Sequence, residues 1–381
     1  MANLLNQEKK FTIFGGAGCA GAHKELIELA GKLNAPIVHA LRGKEFIAYD
    51  NPFDVGMTGL LGVSSGYYAM MDSDVLLLIG TDFPYQQFFP KEATIVQIDI
   101  RGEQLGRRTK VDYGFVGDTN TTLTALLPRL NQNKDDSHLK ASLEHYRRTS
   151  EGLEELATAG SGRTPLHPQY VTRVLDELAA KDAIFTCDVG TPTIWAARYL
   201  TMNGQRRLIG SFNHGSMASA LPHAIGAQVS HPGRQVISLS GDGGFAMLMG
   251  DVLSLRQLRA PVKVILLKNG ALAFVELEMK AAGFVNFGTE LQDPNFAKLA
   301  ESAGLLGLTA ETPDQVRPMI AQALQHDGPA LVEVLVNRLE LSMPPTITLE
   351  QARGFSLFAL RTVLSGRGNE LIDLGESNLL R

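Results

Sequence analysis

Runs of apolar residues, many of them β-branched, alternate with stretches of helical periodicity along most of the chain. Residues 11–14, 37–40, 75–79 and 94–98 predict strands, with helices predicted over residues 23–33 and 121–130. A second alternation starts at His167 and takes in the strand-like runs 183–187, 236–239, 262–267 and 330–336. These runs are predominantly apolar, with few polar interruptions, as suits strands covered on both faces by helices. The fold class that follows is α/β, with two doubly wound parallel-sheet domains and a C-terminal helical tail.

Between the two alternations the chain turns polar and charged, through Asn131-Gln-Asn-Lys-Asp-Asp136, a helix predicted from His138, and Gly160-Ser-Gly162. Composition therefore separates a first domain at 1–135 from a second starting at 165 by a linker at 136–164.

At 381 residues, with 44% hydrophobic and 20% charged residues, the composition is that of an ordinary two-domain globular protein. A formal net charge of −5 gives no reason to expect a nucleic acid partner. Cys19 and Cys187 lack metal-ligand spacing and point to a reducing cytoplasm. The first ten residues contain no apolar h-region, and no run approaches the ~18 apolar residues a membrane span needs.

Candidate chemistry sits where the apolar runs end. Val236-Ile-Ser-Leu-Ser-Gly-Asp242-Gly-Gly-Phe245 and Val262-Lys-Val-Ile-Leu-Leu267 both end in polar turns, at what would be the carboxyl edge of a sheet. Asp242 and Asn269 offer hard oxygen ligands there, and glycines allow close approach of a phosphate, which suits a divalent cation carrying a diphosphate. In the first half, Gly16-Ala-Gly18-Cys-Ala-Gly21 matches the dinucleotide fingerprint. That fingerprint also wants an acid after the second strand, where His39-Ala-Leu-Arg42-Gly-Lys44 is basic. A nicotinamide dinucleotide site, a site for a different nucleotide and a tight structural turn all remain open for this loop.

The Gly-Asp-Gly turn, the 24 residues Gly244 to Leu267 and the Lys268-Asn269 pair resemble the signature of the thiamine diphosphate enzymes. One departure is Lys268, which stands where the family has a first Asn and reads as a turn residue projecting to solvent or reaching a phosphate. The resemblance implies Mg²⁺ held by Asp242, Asn269 and the Ala271 carbonyl. It implies thiamine diphosphate contacts at Gly243, Gly244, Gly270, Leu272, Ala273, Phe274 and Val275. Phe212-Asn-His-Gly215-Ser216-Met217 carries further contacts at Gly215, Ser216 and Met217, the last as the wedge that holds the cofactor bent. Cys187-Asp-Val-Gly190-Thr191-Pro-Thr193 resembles the start of the diphosphate-binding domain, with hydroxyls at a helix N-terminus. His214 is given no catalytic role.

The first half resembles the central domain of the flavin-containing members, on 36–44, 54–62 and 93–100. By that resemblance Leu60, Leu61, Gly62, Val63, Phe83, Pro84, Tyr85, Gln86, Gln87 and Arg101 fall on flavin-contacting segments, and FAD is expected. The segment 183–200 and the terminus from Pro344 resemble the quinone-reducing pyruvate oxidases, with acetolactate synthases as the neighbouring alternative. The implied reaction is oxidative decarboxylation of pyruvate to acetate and CO₂, through FAD to ubiquinone, in a homo-oligomer. The resemblance also implies that the catalytic glutamate lies on a pyrimidine-binding domain outside this chain. Little turnover is then expected of the chain alone, and a non-catalytic cofactor-binding or assembly fragment is a further alternative. The resemblance further implies that the second domain, 165–340, ends at 340 and that 341–381 is a tail. Residues 353–381 match a lipid-responsive peripheral anchor, with Leu371, Ile372, Leu374 and Leu379 on one helical face. The expected location is cytoplasmic, peripheral at the inner face of the cell membrane.

Overall fold

The computed structural model describes all residues except 160, 161, 163, 293, 343, 344, 347, 348, 366, 380 and 381. The chain divides into two compact units, one built mainly from Met1–Gly152 and the other from Leu153–Thr201, Gln205–Ser342 and Ile347–Arg381. The stretch expected as a linker is largely one helix, Ser137–Ala159, within which the division falls.

The first unit contains β1 (Phe11–Gly15), β2 (Ile37–His39), β3 (Asp54–Met57), β4 (Val75–Ile79), β5 (Thr94–Asp99) and β6 (Tyr113–Val116). They form one parallel sheet in the order β3-β2-β1-β4-β5-β6, the order of a doubly wound dinucleotide-binding sheet. Successive residues of a strand point to opposite faces, and here both faces are buried. Ile13, Leu77 and Ile98 pack with Leu26, Leu29 and Leu33 of the helix His23–Leu33, while Phe14, Leu76 and Leu78 pack with Met70, Phe83 and Phe88.

The second unit contains β7 (Ile184–Cys187), β8 (Arg207–Gly210), β9 (Val236–Gly241), β10 (Lys263–Lys268), β11 (Leu306–Ala310) and β12 (Ala330–Leu335). The order is β11-β12-β10-β9-β7-β8, again all parallel. Ile184, Val236, Val264 and Leu266 form a core with Leu221 and Ala224 of the helix Ala220–Ser230, and with Phe245 and Phe296.

The tail forms the helices Leu349–Leu364 and Asn369–Leu379. The first packs on the helix Ala273–Ala281: Phe358 is buried, and Gly354 lies so close that a Cβ would overlap the Ala281 carbonyl oxygen. In the second, Leu374 is buried whereas Ile372 is 60% exposed, so the expected single apolar face is split between protein and solvent. The Leu379 side chain lies outside the described residues. Among the described residues no helix is long and apolar enough to cross a membrane.

Candidate functional site

The strand order of the second sheet reverses between β7 and β9, and in open α/β sheets the crevice at such a reversal is where ligands bind. Asp242 follows β9 at the start of the helix Asp242–Met247, and Asn269 follows β10. The structure joins them into one turn. Asp242 is 3% exposed; its Oδ2 accepts hydrogen bonds from the backbone N–H of Asn269 (2.8 Å) and Gly270 (2.6 Å), and its Oδ1 from Gly243 (2.8 Å). Asn269 Oδ1 accepts from Ala271 N–H at 3.0 Å. Gly270, at φ +68, allows the turn, and backbone bonds from Leu272 to Thr289 and from Leu291 to Gly270 hold it from the far side. Two hard oxygen donors on adjacent strand ends, already locked together, fit a Mg²⁺–diphosphate.

Met217 belongs to the loop after β8, which turns at Gly215 (φ +72) and Ala218 (φ +64). A Cβ at Gly243 would stand 3.7 Å from Met217 Cε, 2.8 Å from Leu272 and 3.2 Å from Leu291. The structure thus brings Met217 and Leu272 onto the Gly-Asp-Gly turn and adds Leu291, which no sequence signal marks. Ser216 is exposed, and its N–H donates to Ser211 Oγ. Ala271 is buried and Leu272 half-buried; Ala273, Phe274 and Val275 form the first turn of the helix Ala273–Ala281, with Val275 exposed.

Two expectations change. Lys268 does not project to solvent: its Nζ donates to Glu333 Oε1 and to the Pro294 carbonyl, both at 2.8 Å, and lies over the Phe296 ring. Glu333 is 1% exposed on β12, so its carboxylate needs a counter-charge, and Lys268 supplies it. The Thr193 hydroxyl is also committed, donating to the Asp188 carbonyl at 2.7 Å inside the protein. Asp188 itself, the first residue after β7, was not singled out by sequence, although a carboxylate directly after an apolar run is a readable signal. Burial pushes its carboxyl up to about 6, against the pull of the Ser219 amide and neighbouring amides.

In the first unit the expected flavin segments follow β3, β4 and β5, and so share the sheet's carboxyl edge. Gly59, at φ +100, lies on Phe83: a Cβ there would stand 2.9 Å from that ring and 3.7 Å from Tyr85, so the two loops meet. Phe83 itself is buried, edge-on to Phe14 at 5.0 Å, and serves the core. Leu60, Pro84, Gln86 and Gln87 are exposed, Leu61, Val63 and Tyr85 are half-buried, and Gly62 packs over Thr58. Thr58 Oγ1 is buried with no partner among the described residues, a polar atom a ligand at this edge could reach. Arg101 is 55% exposed, with its Nε 3.8 Å from Asp99.

The Gly16–Gly21 loop is filled by protein. A Cβ at Gly16 would stand 2.5 Å from the Gly80 carbonyl, and one at Gly18 would stand 2.6 Å from Gly80 Cα. The glycines thus let the loops after β1 and β4 touch backbone to backbone at the point where the strand order reverses. His39, where an acid would bind a ribose, is 3% exposed, and burial holds its ring neutral to about 3. A nicotinamide dinucleotide site is not what this loop builds.

Residues 188–334 match the thiamine pyrophosphate enzyme C-terminal TPP-binding domain, and residues 1–126 match the central domain of the same enzymes; thiamine pyrophosphate is thiamine diphosphate. The putative thiamine pyrophosphate-containing protein YdaP of Bacillus subtilis (strain 168) is 35% identical, over 99% of this chain and 65% of its own length. A probable acetolactate synthase large subunit of Methanococcus aeolicus is 30% identical over 90% of this chain and 61% of its own. A pyruvate oxidase of Lactiplantibacillus plantarum is 28% identical over 87% of this chain and 56% of its own. The chain therefore spans less than two thirds of the length of these relatives.

Proposed function

The chain belongs to the thiamine pyrophosphate enzyme family, and on that premise we propose that it serves oxidative decarboxylation of pyruvate to acetate and CO₂. The observation that carries the cofactor half of this reading is the Asp242 carboxylate gripping the Asn269–Gly270 backbone at 2.8 and 2.6 Å. Asp242, Asn269 and the Ala271 carbonyl would hold Mg²⁺ and, through it, the diphosphate. Met217, Leu272 and Leu291 give the turn an apolar wall, which would shield the ring portion of a bound cofactor from water. When bound, thiamine diphosphate supplies the nucleophilic carbon and the electron sink for loss of CO₂.

The rest of the reading is redox. Pyruvate and water would give acetate, CO₂, two protons and two electrons; bound FAD would supply the electron-accepting chemistry and ubiquinone the final acceptor. Leu60, Leu61, Val63, Tyr85, Gln86 and Arg101, at the carboxyl edge of the first sheet, would hold FAD. Similarity to the pyruvate oxidase supports an oxidation of pyruvate, while comparable similarity to acetolactate synthases supports a second reading, carboligation of two pyruvates. The working form is proposed as a homo-oligomer, cytoplasmic and peripheral at the membrane. Exposed Leu349, Leu357, Leu360, Val363 and Leu364 on the first tail helix support a lipid contact.

Calorimetric titration with thiamine diphosphate, with and without Mg²⁺, tests the cofactor site, and Mg²⁺-independent binding or none would overturn it. The absorbance spectrum of the purified chain tests for flavin. Product analysis of the assembled enzyme on pyruvate, acetate against acetolactate, separates the two reactions.

A further inference from the structure

The loop carrying Met217 and the turn carrying Asp242 come from different parts of the chain, and one side chain touches both. Asp188 is 2% exposed, and its Oδ1 accepts the backbone N–H of Ser219 at 2.9 Å. Its Oδ2 is buried with no hydrogen-bond partner among the described residues. That oxygen fills the space Gly244 leaves: a Cβ on Gly244 would overlap Oδ2 and stand 2.7 Å from Asp188 Cγ. The two adjacent glycines therefore have different tasks. Gly243 faces Met217 Cε, and Gly244 faces the carboxylate that holds Ser219, two residues beyond Met217.

The segment between needs such a hold. Ala218 sits at φ +64, a left-handed conformation that an alanine adopts only when its surroundings impose it. A buried carboxylate with one bare oxygen is itself costly, and packing alone does not call for one here. What the carboxylate provides is a fixed distance between the loop and the turn.

We propose that Asp188 is a positioning residue that fixes residues 217–219 against Gly243-Gly244, keeping the apolar wall in register with the metal–diphosphate turn. This rests on the thiamine diphosphate reading of the site. Asp188 acts through the loop, so its loss weakens binding of the whole cofactor but spares binding of the diphosphate portion alone.

The test titrates the chain with thiamine diphosphate and, separately, with inorganic pyrophosphate, each with Mg²⁺. In Asp188→Ala and in Gly244→Ala, thiamine diphosphate affinity is expected to fall about tenfold or more, as supporting contacts around metal sites generally do. For Asp188→Ala, pyrophosphate affinity should change less than about twofold, and the double variant should lose no more thiamine diphosphate affinity than the worse single one, because both act on one contact. Asp188→Asn, which keeps an acceptor for Ser219 N–H, should retain the parental preference. Should Asp188→Ala fail to fold, Gly244→Ala and Asp188→Asn read the same contact. Equal losses for both ligands, no loss for either, or a loss in Asp188→Asn as large as in Asp188→Ala would overturn the proposal. A parent chain that binds neither ligand overturns the cofactor reading itself, a result distinct from failure of the positioning role.

Discussion

Lys268 Nζ lies 2.8 Å from Glu333 Oε1, joining the last residue of β10 to a carboxylate that is 1% exposed on β12. Glu333 also receives long backbone contacts (3.4 Å) from Phe296 and Ala297, at the start of the helix Phe296–Ser302. Removing the lysine leaves a buried charge unpaired. Lys268→Asn, which restores the residue usual in the family signature, should therefore cost about 3–5 kcal/mol of stability. Lys268→Asn with Glu333→Gln should recover most of that. Urea unfolding followed by the single tryptophan, Trp195, measures both, and an unperturbed Lys268→Asn chain would refute the pairing.

Asp242→Ala should abolish Mg²⁺-dependent thiamine diphosphate binding, or weaken it by at least ~100-fold, because the ligand and the anchor of the Asn269 turn are lost together. Asn269→Ala removes a ligand but leaves the backbone bonds to Asp242, so a smaller loss is expected. Calorimetry at fixed Mg²⁺ gives the order, and parental affinity in Asp242→Ala would remove the site from this turn.

Asp188 makes stability fall as pH rises. Its carboxyl ionises near 3.8 when unfolded and is pushed up to about 6 when folded, because burial opposes the charge. Below the lower value the group is neutral in both states and costs nothing; as pH rises through about 6 the folded state loses up to roughly 3 kcal/mol. Asp188→Asn, never ionised, should be more stable than the parent at pH 7 and equal to it below about pH 3. Unfolding free energies at the two pH values check the sign, and a variant less stable at pH 7 would contradict it.

Gly18→Ala places a methyl against the Gly80 backbone, where neither side can yield as a side chain would. A cost of about 1–3 kcal/mol is expected in the first unit, as for overpacking elsewhere. Thiamine diphosphate binding should be unchanged, since those contacts belong to the other unit. A stable Gly18→Ala chain would show that the loops are not held by this contact.

If the first tail helix meets lipid, Leu360→Asn with Leu364→Asn should lower co-sedimentation with phospholipid vesicles and leave stability unchanged, since both residues are more than half exposed. Equal sedimentation would leave the tail a packed terminal helix.

The eight strands expected from apolar runs are the interior strands of the two sheets; β3, β6, β8 and β11, which were not expected, are the four edges. An interior strand is covered on both faces and paired on both sides, so its residues must be almost uniformly apolar, and that shows in one dimension. An edge strand is paired on one side only and tolerates Asp54-Val-Gly-Met57 or an exposed Tyr113-Gly-Phe-Val116, whose strand character comes from a neighbour's backbone. The site divides in the same way. Asp242 and Asn269 were legible because each directly ends an apolar run, and the spacing between the runs is a local property of one strand–helix–strand unit. The partnership of Lys268 with Glu333, the filling of the Gly16–Gly18 loop by Gly80, and the seating of Asp188 on Gly244 were decided only by tertiary structure. Each is a contact between distant segments, and its sign depends on which atoms the fold brings within a few ångströms.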